Sequence, residues 1–263
     1  IIRAETIDIQ VGGYIDLDGS SINITDSSFG SYVKIGHDRV NLTNVSVGNS
    51  YLNFVSVDSA VLRNVTVDNQ LQGEIGDLYL EDVQTGYGAN TLRVSKLWML
   101  NSTFEKASSN GDSYYIYVSD MDNHNNASTE DIYIYNSTIK FNTTSDSNQQ
   151  FVFDIYTTGD IRIIDSEINA TRFRTSTIEL KGSEILIQNS TLWSGARHES
   201  SGTSCNHYYY SQSQCINAGW FTYLYSYLTL DANNLTIEDS DLKATSEMTS
   251  SQSTNQYLHY YRK

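Results

Sequence analysis

Apolar and polar residues alternate with a period of two along most of the chain, interrupted at regular intervals by Asn or Asp. Residues 131 to 141, DIYIYNSTIKF, set Ile132, Ile134 and Ile139 around Asn136. The same order of apolar, any, apolar, any, Asn/Asp, any, any, apolar recurs at Ile22, Ile24, Asp26, Phe29, at Val40, Leu42, Asn44, Val47, and at Ala60, Leu62, Asn64, Val67. It continues through Asp82, Asn101, Asp165, Asn189 and Asp239, which makes nine copies. Period-two alternation predicts strands buried on one face, and no helical periodicity competes with it. A second alternating strand lies between copies, as at Val33/Ile35, Leu92/Val94, Phe151/Phe153/Ile155 and Ile178/Leu180.

The Asn/Asp positions follow one another after 18, 20, 18, 19, 35, 29, 24 and 50 residues. Short intervals predict uninterrupted turns of a solenoid, because one such turn cannot bury its apolar face alone. The longest carry insertions at 106–131, 142–150 and 193–222, or for the interval of 35 a skipped turn near Ile116, Val118 and Asp120. The fold class expected is all-β, a parallel β-helix or β-solenoid of about 9–11 coils in a single domain over 1–263. Residues 244–256 are expected to form a flexible polar segment. At about 4.8 Å per coil the stack is roughly 45 to 50 Å long. The pattern resembles the right-handed parallel β-helix of pectin-lyase-like proteins, whose repeat is similar to IYIYNSTI here, over most of residues 15 to 243. That resemblance implies an architecture rather than an activity.

The recurring polar residue is assigned to a corner, where Asn or Asp tolerates a left-handed backbone. Counting parity along the strand places it on the inner side, so Asp26, Asn44, Asn64, Asp82, Asn101, Asn136, Asp165, Asn189 and Asp239 are expected to stack as a corner ladder. Eleven Asn residues open N-x-[ST] triplets, which points to an extracellular glycoprotein. The off-register Asn23, Asn126, Asn142, Asn169 and Asn234 are the better glycan acceptors; Asn41, Asn44, Asn64, Asn101, Asn136 and Asn189 rank below them.

The net charge of −15 argues against nucleic acid or an anionic membrane as partner. No apolar run reaches the roughly 18 residues that cross a bilayer. The start at Ile1 reads as the product of signal removal. Cys205 and Cys215 bracket a short loop and are expected to pair as a disulfide in an oxidising compartment.

Chemistry is sparse. Outward positions before the corner include Arg63, Glu81, Tyr135 and Gln188, and no two carboxylates meet on adjacent copies of that face. The tripartite Asp pattern and Gly-His-Gly segment of polygalacturonase-like hydrolases are missing. His37, Asp38 and Arg39 read as a solvated turn, and Asp16/Asp18 and Asp120/Asp122 have spacings compatible with calcium without a full loop signature. No metal and no cofactor are therefore expected. Val61, Tyr79, Trp98, Tyr133 and Tyr135 form an outward apolar stripe, a lateral contact for a loop, a subunit or a sugar.

Proline is absent, although it is an ordinary device for blunting strand edges. The alternation of Ile7, Ile9 and Val11 continues the strands without a capping helix. The function expected is a non-catalytic subunit of an extracellular, cell-surface homopolymer, whose partners are copies of itself and N-linked glycans. In composition the chain resembles archaeal surface-filament or sheath proteins. The alternatives are a polysaccharide-active β-helix enzyme and a glycan-binding adhesin, the latter using the stripe or Tyr208, Tyr209 and Tyr210.

Overall fold

The computed structural model describes residues 2–5, 8–9, 14–36, 38–48, 50–86, 91–108, 113–120, 126–143, 150–173, 175–198, 225–248 and 255–262. These residues form 22 strands and no helix, and every pairing between strands is parallel. The architecture is all-β and matches a β-solenoid. Cys205 and Cys215, His37, Asp122 and Tyr208 to Tyr210 lie outside the described residues.

Three stacks of strands run through the molecule. The first holds the segments before each corner: Ile22 pairs with Val40, Val40 with Ala60, Ala60 with Leu78, Leu78 with Leu97, and onward through Ile132, Ile161, Ile185 and Leu235. The second holds the segments after each corner, such as Thr138–Thr143 on Glu167–Phe173. The third holds the intervening strands, such as Gln150–Tyr156 on Thr175–Gln188. Like residues thus stand on like residues, and Ile22, Leu62, Leu80, Ile134, Ile163 and Ile187 are at most 1% exposed. Their β-branched and leucine side chains fill a shaft continuous from one turn of the chain to the next. Tyr114–Val118 belongs to the third stack, between Thr91–Leu100 and Gln150–Tyr156. The interval of 35 therefore contains no skipped turn. Asp241–Met248 pairs with Thr191–His198, so residues 244 to 248 of the segment expected to be flexible carry regular ladder bonds.

The corners have one conformation. All nine Asn/Asp positions hold φ between 44° and 55°, a region open to Asn and Asp because their short polar side chains bond locally. Their side chains are exposed, however, and not on the inner side. A left-handed residue turns the chain and adds one outward position, so Tyr135 and Asn136 both face out and Ser137 faces in. The stacked amides bond along the outside: Asn44 Nδ2 donates to Asp26 Oδ1 at 2.8 Å, Asn64 to Asn44 at 2.8 Å, Asn136 to Asn101 at 2.9 Å, and Asn189 to Asp165 at 2.7 Å. A carboxylate only accepts, so Asp26 and Asp165 open their runs.

Inside the corners at Asn101, Asn136, Asp165 and Asn189 runs a second ladder. Ser102, Ser137, Ser166 and Ser190 are at most 5% exposed. Ser102 N donates to Ser137 Oγ, Ser137 N to Ser166 Oγ, Ser166 N to Ser190 Oγ and Ser190 N to Ser240 Oγ, each at 3.1 Å. Each hydroxyl in turn donates to the carbonyl two residues earlier, as Ser137 Oγ does to Tyr135 O at 2.8 Å. Backbone groups that the bend would leave buried without partners are satisfied this way.

Ser137→Ala removes the acceptor of a buried N–H, and chemical denaturation is expected to read a loss of about 1–3 kcal/mol. Asn136→Ala forces a Cβ residue into the left-handed region, with a loss of roughly 1–2 kcal/mol beyond its hydrogen bond. Asn136→Gly should lose less than Asn136→Ala; equal losses would mean that the corner dihedral is not the determinant.

Candidate functional site

The first stack presents an aromatic row outward. Asn23, Asn41, Val61, Tyr79, Trp98, Tyr133, Arg162, Leu186 and Thr236 stand in one line of register. The Tyr79 and Trp98 ring centroids lie 6.0 Å apart, and those of Trp98 and Tyr133 lie 4.9 Å apart, edge to face. Arg63 lies over Tyr79 at 5.3 Å, Lys96 over Trp98 at 5.7 Å, and Arg162 over Tyr133 at 5.5 Å. These cations also bind carboxylates: Arg63 meets Glu81 at 3.0 Å, Lys96 meets Glu130 at 2.9 Å, and Arg162 meets Asp160 at 3.5 Å. The Glu130 hydrogen bond, followed by attraction to Glu130, Asp77 and Asp131, holds the Lys96 ammonium above its usual pKa, against desolvation. Ring contacts and ion pairs hold the side chains of the row in place. Trp98 remains 36% and Tyr135 47% exposed.

The third stack carries a constellation absent from the sequence reading. Asp154 stands in register with Glu179 on the next strand and with Tyr117 on the previous one. A cleft of about 180 Å³ beside it is lined by Arg93, Tyr117, Ser119, Asp154 and Tyr156. Arg93 lies over the Tyr117 ring at 5.7 Å, and Lys181 over Tyr156 at 4.6 Å. Burial first, then the Glu179 charge, pushes the Asp154 carboxyl up to about 6, with Lys181 opposing. Adjacent carboxylates are thus present on this face. Aligning Phe153/Ile155 with Ile178/Leu180 brings the two acids together from sequence alone.

The other candidate residues are dispersed. Asp38 and Arg39 are exposed. Asp16 pairs with Lys34 at 3.0 Å, and among the described residues no three His, Cys, Asp or Glu gather as a metal site. Asn126 and Asn234 are exposed, while Asn23, Asn142 and Asn169 are half-buried. Asn234 donates to Glu184 at 3.2 Å and Asn169 to Glu167 at 2.9 Å. Asn41 is exposed, and among the described residues no hydrogen bond engages its amide. Burial does not oppose sugar attachment at the corner sequons, but in Asn44, Asn64, Asn136 and Asn189 the acceptor nitrogen is the ladder donor.

No family model, no curated protein and no solved structure matches the chain.

Because the Asp154 carboxyl has a higher pKa folded than unfolded, its ionisation costs stability. The cost is absent below about pH 4 and complete above about pH 6. Asp154→Asn should therefore raise the unfolding free energy at pH 7.5 by on the order of 1–2 kcal/mol, read as a higher melting temperature, and leave it unchanged at pH 4. An equal gain at both pH values would remove the titration from the explanation.

Proposed function

We propose that this chain is a non-catalytic structural subunit of an extracellular, glycosylated homopolymer: a filament, sheath or surface layer. In this reading the β-solenoid is a right-handed helix of nine to eleven coils with loop insertions, and assembly proceeds by strand stacking or strand addition at its ends.

One observation carries the reading. Ile185, Ile187 and Leu192 are at most 1% exposed, whereas their register partners Leu235, Ile237 and Leu242 are only partly buried. Ile15 and Leu17, at the other extremity of the shaft, are likewise only partly buried. A β-coil laid over Leu235–Glu238 in a second copy would bury these side chains and pair the strand edge. The corner ladders add direction, since Asn189 N and Ser190 N already donate to Glu238 O and Ser240 Oγ of the following coil.

The Asp154–Glu179 pair beside its cleft is the feature that favours the alternative of a polysaccharide-active enzyme, and turnover lost in Asp154→Asn would support it. On the structural reading, purified chain at high concentration forms fibres or sheets in negative-stain micrographs, and Ile237→Asp leaves discrete particles with unchanged circular dichroism. Wild-type protein that stays monomeric, or an Ile237→Asp variant that assembles normally, contradicts it.

A further inference from the structure

We infer that Asn41 carries an N-linked glycan that lies along the aromatic row of its own chain. The inference rests on the extracellular, glycosylated reading and is independent of polymerisation. Asn41 opens the triplet Asn41-Leu42-Thr43, is exposed, and has an amide that no hydrogen bond engages among the described residues. The corner amides, by contrast, spend the same nitrogen on their ladder. Position decides the rest. Asn41 is in register with Val61, then Tyr79, then Trp98, so these residues follow it at successive strand spacings of about 4.8 Å.

Val61 is the smallest side chain of that run and leaves a step between the acceptor and the first ring. A sugar residue is about one strand spacing long, so a chain leaving Asn41 sets its first ring over Val61 and the next over Tyr79 and Trp98. The apolar faces of pyranose rings suit an exposed aromatic surface that a protein seldom leaves open. Hydroxyls at the ring edges meet polar partners on both sides. Arg63 and Glu81 flank Val61 and Tyr79 on the corner side, and Ser59 and Asp77 flank them on the other. The occupant is thus a neutral, hydroxyl-rich oligosaccharide tethered in place, and its tether removes most of the entropy cost of docking.

The test is secretion of the whole chain from an N-glycosylating eukaryotic host, glycopeptide mapping, and hydroxyl-radical footprinting. Asn41 is expected to be occupied. Enzymatic removal of the glycan from folded protein, and separately Thr43→Ala, should raise oxidation of Tyr79 and Trp98 several-fold and leave Tyr14, 60% exposed on another face, unchanged. An empty Asn41 with other sequons occupied overturns this inference alone. An occupied Asn41 whose removal leaves Tyr79 and Trp98 oxidation unchanged also overturns it, and a chain with no occupied sequon overturns the glycoprotein reading as well.

Discussion

The fold depends on a backbone that turns sharply at the same place in each repeat without losing a hydrogen bond. One residue with φ near 50° makes the turn, and only Asn, Asp or Gly takes that conformation at small cost. The residue after it is drawn inward, and in five of the corners a buried serine there closes the account of donors and acceptors. The outward amides and inward hydroxyls then repeat from coil to coil, so the corner fixes register as well as direction. A slip of one residue would expose the isoleucine shaft on every strand.

Such a scaffold is quasi-one-dimensional: each coil is stabilised chiefly by the coils on either side of it. Leu235, Ile237, Leu242 and Ala244, which pack against the shaft beyond Ile185, Ile187 and Leu192, are only partly buried. The sides of the solenoid are, by contrast, fixed by ring contacts and ion pairs. Aromatic residues on one face and the Asp154–Glu179 register on another are both consequences of stacking, which aligns residues eighteen or more positions apart in sequence.

Strand type, repeat and the nine corner residues were legible because alternation and the Asn/Asp punctuation are local signals. The facing of those corner residues was not, since parity counting assumes an extended backbone and fails at a left-handed residue. The inner serines were visible as Asn-Ser and Asp-Ser pairs at 101/102, 136/137, 165/166 and 189/190, but only the turn explains why a polar residue belongs inside. The Asp154–Glu179 pair went unread for a different reason. The strands of the third stack are separated by variable insertions, so the neighbour of Asp154 emerges only when the apolar positions of that stack are aligned with each other. The bulge between Phe54 and Val57, where Ser56 has φ 52° and Gly73 approaches the Phe54 carbonyl too closely for a Cβ, left no trace in the alternation.

If the shaft is prolonged from copy to copy, its strands lie across the long axis of the assembly. X-ray diffraction from aligned material should then give a meridional reflection near 4.8 Å along that axis. Aligned assemblies lacking that reflection, or with strands parallel to the axis, would contradict end-to-end continuation of the coils.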